Sequence, residues 1–359
     1  MTATYAASGF DLKRDWEDIK AKFKDVKVLK YTSNTDIIQA VTLLSTYKKR
    51  LEAQKSDIEA DKLPAVSAKR KNMLELKVED YKASREEIVD GFITAAKILT
   101  DNHIFTARDL PYTTQLIPMS GIIAVLGDNV NNLGCRKKLM RWFWCGVFGE
   151  LYGAANETRY ALDIQQVIDW ILNDGNDPQT IYDAIFSPSR LNTLRTRNSA
   201  AYKGIYALLM DENTKDWLSG SKIDNMSYFQ ESIDIHHIFP KHWCNNNGIP
   251  RTDYDTIINK TPLSKGTNIF VSGEAPSKYL ARLEKKADVS SGEIDNLLRT
   301  HLVNPEIIRT DDFYAFFADR KEQILQRIEL ATGKPIIRDV TLSNDEGVYA
   351  EEDIMDDEE

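Results

Sequence analysis

Asp234-Ile235-His236-His237-Ile238-Phe239-Pro240 is the stretch on which the fold turns. Polar and apolar residues alternate from Ile233 up to the paired histidines, as in a short half-buried strand, and Pro240 then withdraws a donor from the ladder. The histidines therefore stand at a strand end. Three of the protein's five histidines fall within residues 236–242. Neighbouring side chains on a strand face opposite ways, so His236 and His237 can serve one site only where the strand twists, bulges or stops. Pro240 supplies such a place.

Working outward, residues 257–263 read as a second short strand, and Thr267-Asn268 opens the segment after it. Pro276 and Ser277 begin a helix through Leu283, with proline near the first helical position and apolar residues spaced for one face. The order is strand, loop, strand, helix.

That order, with His236-His237-Ile238-Phe239-Pro240 on the first strand and Asn259 and Asn268 nine positions apart, resembles the ββα-metal fold of HNH endonucleases. The resemblance implies that His237 is the general base, that His236 and Asn268 hold a divalent cation, and that Asn259 orients the loop and the base. Asp234, on the His236 face of the strand, adds a carboxylate to the metal or holds one of its ligands. Phosphodiester hydrolysis needs an activated water, and an imidazole of pKa about 6.5 can accept its proton near neutral pH. It also needs a counter-charge for the phosphate oxygens, and a site with few neutral protein ligands suits Mg²⁺ or Mn²⁺. Other uses compete. His236, His237, His242 and Cys244 could instead form a zinc site, although no Cys-x-x-Cys pair is present. His242 and Cys244 read as packing partners of Trp243, Asn259 as a turn former and Asn268 as a helix cap.

At 359 residues and 42% apolar composition, the chain can bury more than one core and is not composed like a disordered protein. No apolar run approaches a membrane span, and the amino terminus lacks the pattern of a signal peptide. Three cysteines, Cys135, Cys145 and Cys244, give no disulfide framework, so a reducing, cytoplasmic setting is expected. The net charge of −9 argues against a surface coated for nucleic acid, but nine acids and no base lie after Asn344. The remainder is close to neutral, leaving basic patches free to meet phosphate. The tail reads as a disordered solubilising end, with competition against DNA as the sharper alternative.

Most of the chain before Ile233 carries helical periodicity, broken at Thr32-Ser33-Asn34, at Pro64 and at Leu110-Pro111-Tyr112. Trp142, Phe143, Trp144, Phe148 and Tyr152 fall in one predicted helix, read as buried in a bundle. The expected fold is mainly α: a helical domain over residues 1–220, a ββα-metal nuclease domain with flanking helices over 221–335, and the acidic tail over 336–359. Residues 190–204 hold four bases and no acid among hydroxyls and amides, a composition suited to phosphates or to acids elsewhere in the bundle. Arg195, Arg197, Lys203, Lys260 and Lys278 are the candidate nucleic-acid contacts. His301, distant in sequence, reads as structural.

The resemblance widens with Arg141-Trp142-Phe143-Trp144-Cys145-Gly146, Gly149-Glu150-Leu151-Tyr152, Glu157-Thr158-Arg159, the Thr196 to Gly204 stretch and the histidine region. Together they are similar to the helical middle and HNH end of GmrSD-type restriction nucleases. This implies cleavage of invading, often base-modified, DNA in prokaryotic defence. Members of that family usually begin with a ParB-like nucleotide-hydrolysing domain marked by an Asp-Gly-Gln-Gln-Arg-like motif. The only similar letters here, Asp163-Ile164-Gln165-Gln166-Val167, lie in a predicted helix and read as its surface. The chain then reads as a carboxy-terminal fragment, as a subunit whose nucleotide-hydrolysing sensor is on another polypeptide, or as a stand-alone nuclease. Two rivals stand beside the DNA nuclease: a nucleic-acid-binding subunit with a silent metal site, and an RNA-cleaving toxin.

Overall fold

The computed structural model describes residues 8–56, 59–154, 156–210 and 213–338; the expected acidic tail lies almost wholly outside them. The fold is mainly helical, as the periodicity indicated, and its described sheet is one two-stranded hairpin. The amino-terminal half is built from α1 (Leu12–Phe23), α2 (Asn34–Gln54), α3 (Val78–Asp101), α4 (Leu116–Leu126), α5 (Leu133–Phe148), α6 (Glu157–Leu172) and α7 (Ala200–Leu209). The Ser33 break is the start of α2. Ser33 Oγ accepts the Asp36 amide at 3.2 Å while Asp36 Oδ2 accepts the Ser33 amide at 2.7 Å, a reciprocal cap that fixes where the helix begins.

Helix α4 is apolar around nearly its whole circumference and is buried accordingly, as a central bundle helix should be. It lies close against α3 at Gly91, where a Cβ would stand 2.4 Å from the Ser120 carbonyl oxygen. Only glycine permits that approach. Among the described residues no helix is long and apolar enough to cross a membrane.

The aromatic helix α5 is buried through Trp142, Phe143, Trp144 and Phe148, whereas Tyr152 falls in the turn beyond it. Asp163 is not surface, contrary to the expectation from the sequence. It is 1% exposed inside α6 and accepts hydrogen bonds from Trp142 Nε1 at 3.0 Å, Thr180 Oγ1 at 2.6 Å and Tyr152 Oη. Burial pushes its carboxyl up, and these donors oppose that. The letters resembling a nucleotide-domain motif thus serve as a polar knot in a helical core.

The carboxy-terminal half begins its sheet with β1 (Asp234–His237), which pairs antiparallel with β2 (Lys260–Leu263). The register sets His236 opposite Thr261 and His237 opposite Lys260. The 22-residue connection is not a plain loop. It holds short helices Lys241–Asn246 and Arg251–Tyr254 and a 3-10 turn Ile257–Asn259, the last replacing the start of the expected second strand. Directly after β2 comes α8 (Lys265–Val271), a helix absent from the sequence reading, which began the closing helix at Pro276. The remaining long helices are α9 (Pro276–Ala287), α10 (Ser291–Thr300) and α11 (Phe313–Thr332).

Two main apolar cores result. One fills the helical half; the other gathers Phe239, Leu263, Tyr279, Leu280 and Leu298 around the hairpin. Helix α11 belongs to both, with Phe313 and Phe316 in the small core and Ile324, Leu325 and Ile328 in the large one. Its turn Gly333 sits at φ 62°, the left-handed close favoured by glycine.

Candidate active site

The histidines sit at the last two positions of β1, where Asn259 ends the pairing. Asn259 is fully buried. Its Oδ1 accepts the Phe239 amide at 2.8 Å, and its Nδ2 donates to the carbonyls of Phe239 and Tyr254, each at 2.9 Å. Its own carbonyl accepts the Ile238 amide at 2.8 Å. More than a turn former, the carboxamide pins the residues just after His237 to the connection.

His236 is half-buried, and its Nε2 atom is buried without a hydrogen-bond partner among the described residues. Burial lowers the pKa of the ring, Asp234 opposing, so the neutral imidazole is favoured. A buried ring nitrogen without a protein partner fits a cation in the tautomer that leaves this nitrogen unprotonated. Asn268 lies mid-way along α8 rather than at its cap; the cap is Ser264, whose Oγ accepts the Thr267 amide at 3.1 Å. Buried Asp216 anchors that helix start by accepting the Ser264 amide at 2.9 Å and the Thr267 hydroxyl at 2.6 Å. The Asn268 side chain is half-buried on this braced helix.

Asp234 is exposed. Its Oδ1 accepts the Ile235 amide at 2.6 Å and is also met by the Arg197 guanidinium. Arg197 in turn lies 4.8 Å from the centre of the Tyr206 ring. The carboxylate expected near the metal is therefore engaged by the helical half.

His237 faces a different partner. Its Nε2 is 3.2 Å from Asp255 Oδ1, and the same oxygen is 2.7 Å from Lys260 Nζ. Arg251 Nε reaches Asp255 Oδ2 at 3.3 Å. Burial alone would raise the Asp255 carboxyl, but the contacts from His237 and Lys260 outweigh it and hold the group well below the usual carboxylate range. Sequence reasoning missed Asp255. It lies 18 positions from His237 in a segment read as loop, and its signal was the Arg251 to Asp255 spacing at a helix end next to Lys260.

The zinc alternative is not assembled: among the described residues no three of His, Cys, Asp and Glu are grouped to hold a metal. Cys244 is buried with its thiol donating to the Phe239 carbonyl at 3.6 Å. His242 is exposed, against the expectation that it packs, and pairs with Asn246 at 3.0 Å. The other donor set expected from the sequence, the His236 imidazole with the Asn268 carboxamide, would suit a hard cation that keeps most of its waters.

Of the candidate phosphate contacts, Arg197 is engaged by Asp234, and Lys260 and Lys203 also have partners within the protein. Lys260 is 7% exposed, its amine held by Asp255 and by the Arg195 carbonyl at 2.8 Å. Lys203 gives its amine to the Leu110 carbonyl at 3.1 Å, and burial lowers its pKa. Lys260 is held between the hairpin and the segment before α7, while Lys203, half-buried on α7 itself, spends its amine on a main-chain acceptor. Arg195 and Lys278 are exposed. His301 is structural: fully buried, with Nδ1 2.7 Å from the Thr261 hydroxyl and Nε2 donating to the Lys215 carbonyl at 2.7 Å.

No known family model matches the chain. Over 216 residues it is 29% identical to an uncharacterised protein of Methanocaldococcus jannaschii, a match covering 53% of this chain. The match takes in 36% of that relative's length.

Proposed function

We propose that the protein is a metal-dependent HNH endonuclease that hydrolyses DNA phosphodiester bonds. The observation that carries this reading is the pairing at the end of β1. His236 offers a buried, unpartnered ring nitrogen, and next to it His237 is braced by a carboxylate. His236 and Asn268 would hold a divalent cation such as Mg²⁺ or Mn²⁺. The cation supplies positive charge for the phosphate oxygens and the leaving oxygen.

The chain's own residues do the rest. His237 takes a proton from water as the water oxygen bonds to phosphorus. The bond to the leaving alkoxide breaks, and that oxygen keeps the electron pair and is protonated by solvent. Asn259 holds the strand end so that His237 does not drift, and exposed Arg195 and Lys278 contact the backbone of the nucleic acid. Cleavage of invading DNA in prokaryotic defence, with a nucleotide-hydrolysing sensor on another polypeptide, is the setting we infer from the resemblance to GmrSD-type nucleases.

The test incubates the full chain with supercoiled plasmid and Mg²⁺ or Mn²⁺, with modified and unmodified DNA and with RNA in parallel. Chelator-sensitive DNA cleavage is expected, and His237→Ala is expected to lower its rate by roughly 10²-fold or more without loss of DNA binding. RNA cleavage alone would make it a ribonuclease. Binding without cleavage of either would leave a silent site and overturn the proposal.

A further inference from the structure

Asp255 is held on more than one side. Lys260, the cross-strand partner of His237, meets Oδ1 at 2.7 Å, and Arg251 meets Oδ2 at 3.3 Å. Lys260 cannot swing away, because the same amine donates to the Arg195 carbonyl and the residue is 7% exposed. The Lys260 carbonyl is fixed as well, accepting from Arg320 at 2.8 Å. The carboxylate is thus a rigid acceptor, 18% exposed, aimed at one nitrogen of His237 at 3.2 Å.

An ionised carboxylate only accepts hydrogen bonds, so the nitrogen it meets must carry the hydrogen. In a neutral imidazole the other nitrogen then holds the lone pair. We propose that Asp255, braced by Lys260, is the positioning residue of His237: it fixes the Nε2–H tautomer and leaves Nδ1 as the atom that receives the proton of the attacking water. The inference rests on the nuclease reading for its catalytic meaning. The proton that arrives at Nδ1 makes an imidazolium, the hydrogen on Nε2 stays in place, and Asp255 stabilises the cation without taking a proton. This is the division of labour of a serine-protease aspartate transferred to a water nucleophile.

The experiment compares the full-length protein with Asp255→Asn and Asp255→Glu by ¹⁵N-histidine NMR and by plasmid cleavage. His237→Ala identifies the His237 signals. Wild-type His237 is expected as the Nε2–H tautomer, and Asp255→Asn, whose amide can turn a donor toward Nε2, is expected to shift it toward Nδ1–H. Cleavage by Asp255→Asn should fall at least ~100-fold in kcat with KM for plasmid within about twofold, and Asp255→Glu should recover part of the loss. Wild-type His237 in the Nδ1–H form overturns the inference even if Asp255→Asn fails to fold. So does an Asp255→Asn ring that keeps its tautomer, or a loss seen in KM with kcat unchanged. Because the NMR arm needs no activity, a wild-type protein with the expected tautomer and no cleavage would defeat the nuclease reading and leave the positioning contact standing.

Discussion

At the scale of single residues, His236 and His237 are neighbours in sequence but live in different electrostatic surroundings. Burial depresses the pKa of His236. The unfolded ring takes a proton as pH falls through about 6.5, while the folded ring resists until lower pH. In that window the unfolded state binds more protons, so His236 makes stability decline as the solution is acidified. His236→Gln should therefore flatten the change in urea midpoint between about pH 7 and about pH 5. An unchanged slope would place the ring's proton elsewhere. The histidine pair stood out in the sequence because a rare residue type is concentrated beside a proline, whereas Asn259 was singled out only through the resemblance to HNH endonucleases. Asp255 was not, since a carboxylate becomes a partner only once the connection folds back, and no local pattern records that. Lys260 and Lys203 raise a related point: a basic letter does not say whether its amine is already taken by acceptors within the protein.

At the scale of elements, the site depends on the long last helix. Arg320 is fully buried in α11, and its guanidinium donates to the carbonyls of Ile258, Lys260 and His301. Burial pushes its pKa down to about 9, so at neutral pH it stays charged and serves as a fork for main-chain acceptors. Arg320→Met keeps most of the volume but strands three carbonyls. We expect a loss of about 3 kcal/mol or more, read as a lower denaturation midpoint, with Arg320→Lys recovering only part because it lacks the planar fork. A variant as stable as the wild type would mean that water replaces the fork. The apolar stripe of α11 was plain in the sequence, and its arginine was not: an interior cation looks like a surface one until the carbonyls around it are known. The hairpin's helix α8 was missed because seven residues are too few for periodicity to show.

At the scale of the whole molecule, the boundary read near residue 220 divides the chain less cleanly than composition suggests. Ile257 and Ile258 from beside β2 pack in the large core, as does the second half of α11. The Ile257 amide bonds the Leu194 carbonyl at 2.8 Å, and Lys334 Nζ caps the carbonyls of Ile181 and Ala184, each at 2.6 Å. Two cores stitched in this way should unfold together. Far-ultraviolet circular dichroism and tryptophan fluorescence are expected to report one coincident thermal transition, and two separated midpoints would contradict it. The mainly helical class was legible from periodicity alone. The stitching was not, because contacts between residues so far apart along the chain, such as Ile257 with Leu194 or Lys334 with Ile181, leave no mark on a local window.

The double allegiance of α11 bears on how such a chain can be recombined. A graft of the histidine hairpin onto another carrier would need to bring along residues from far downstream, together with a matching apolar seat for their outer half. Shuffling of this module is thereby restricted to exchanges in which the terminal helix and its docking groove travel as a unit.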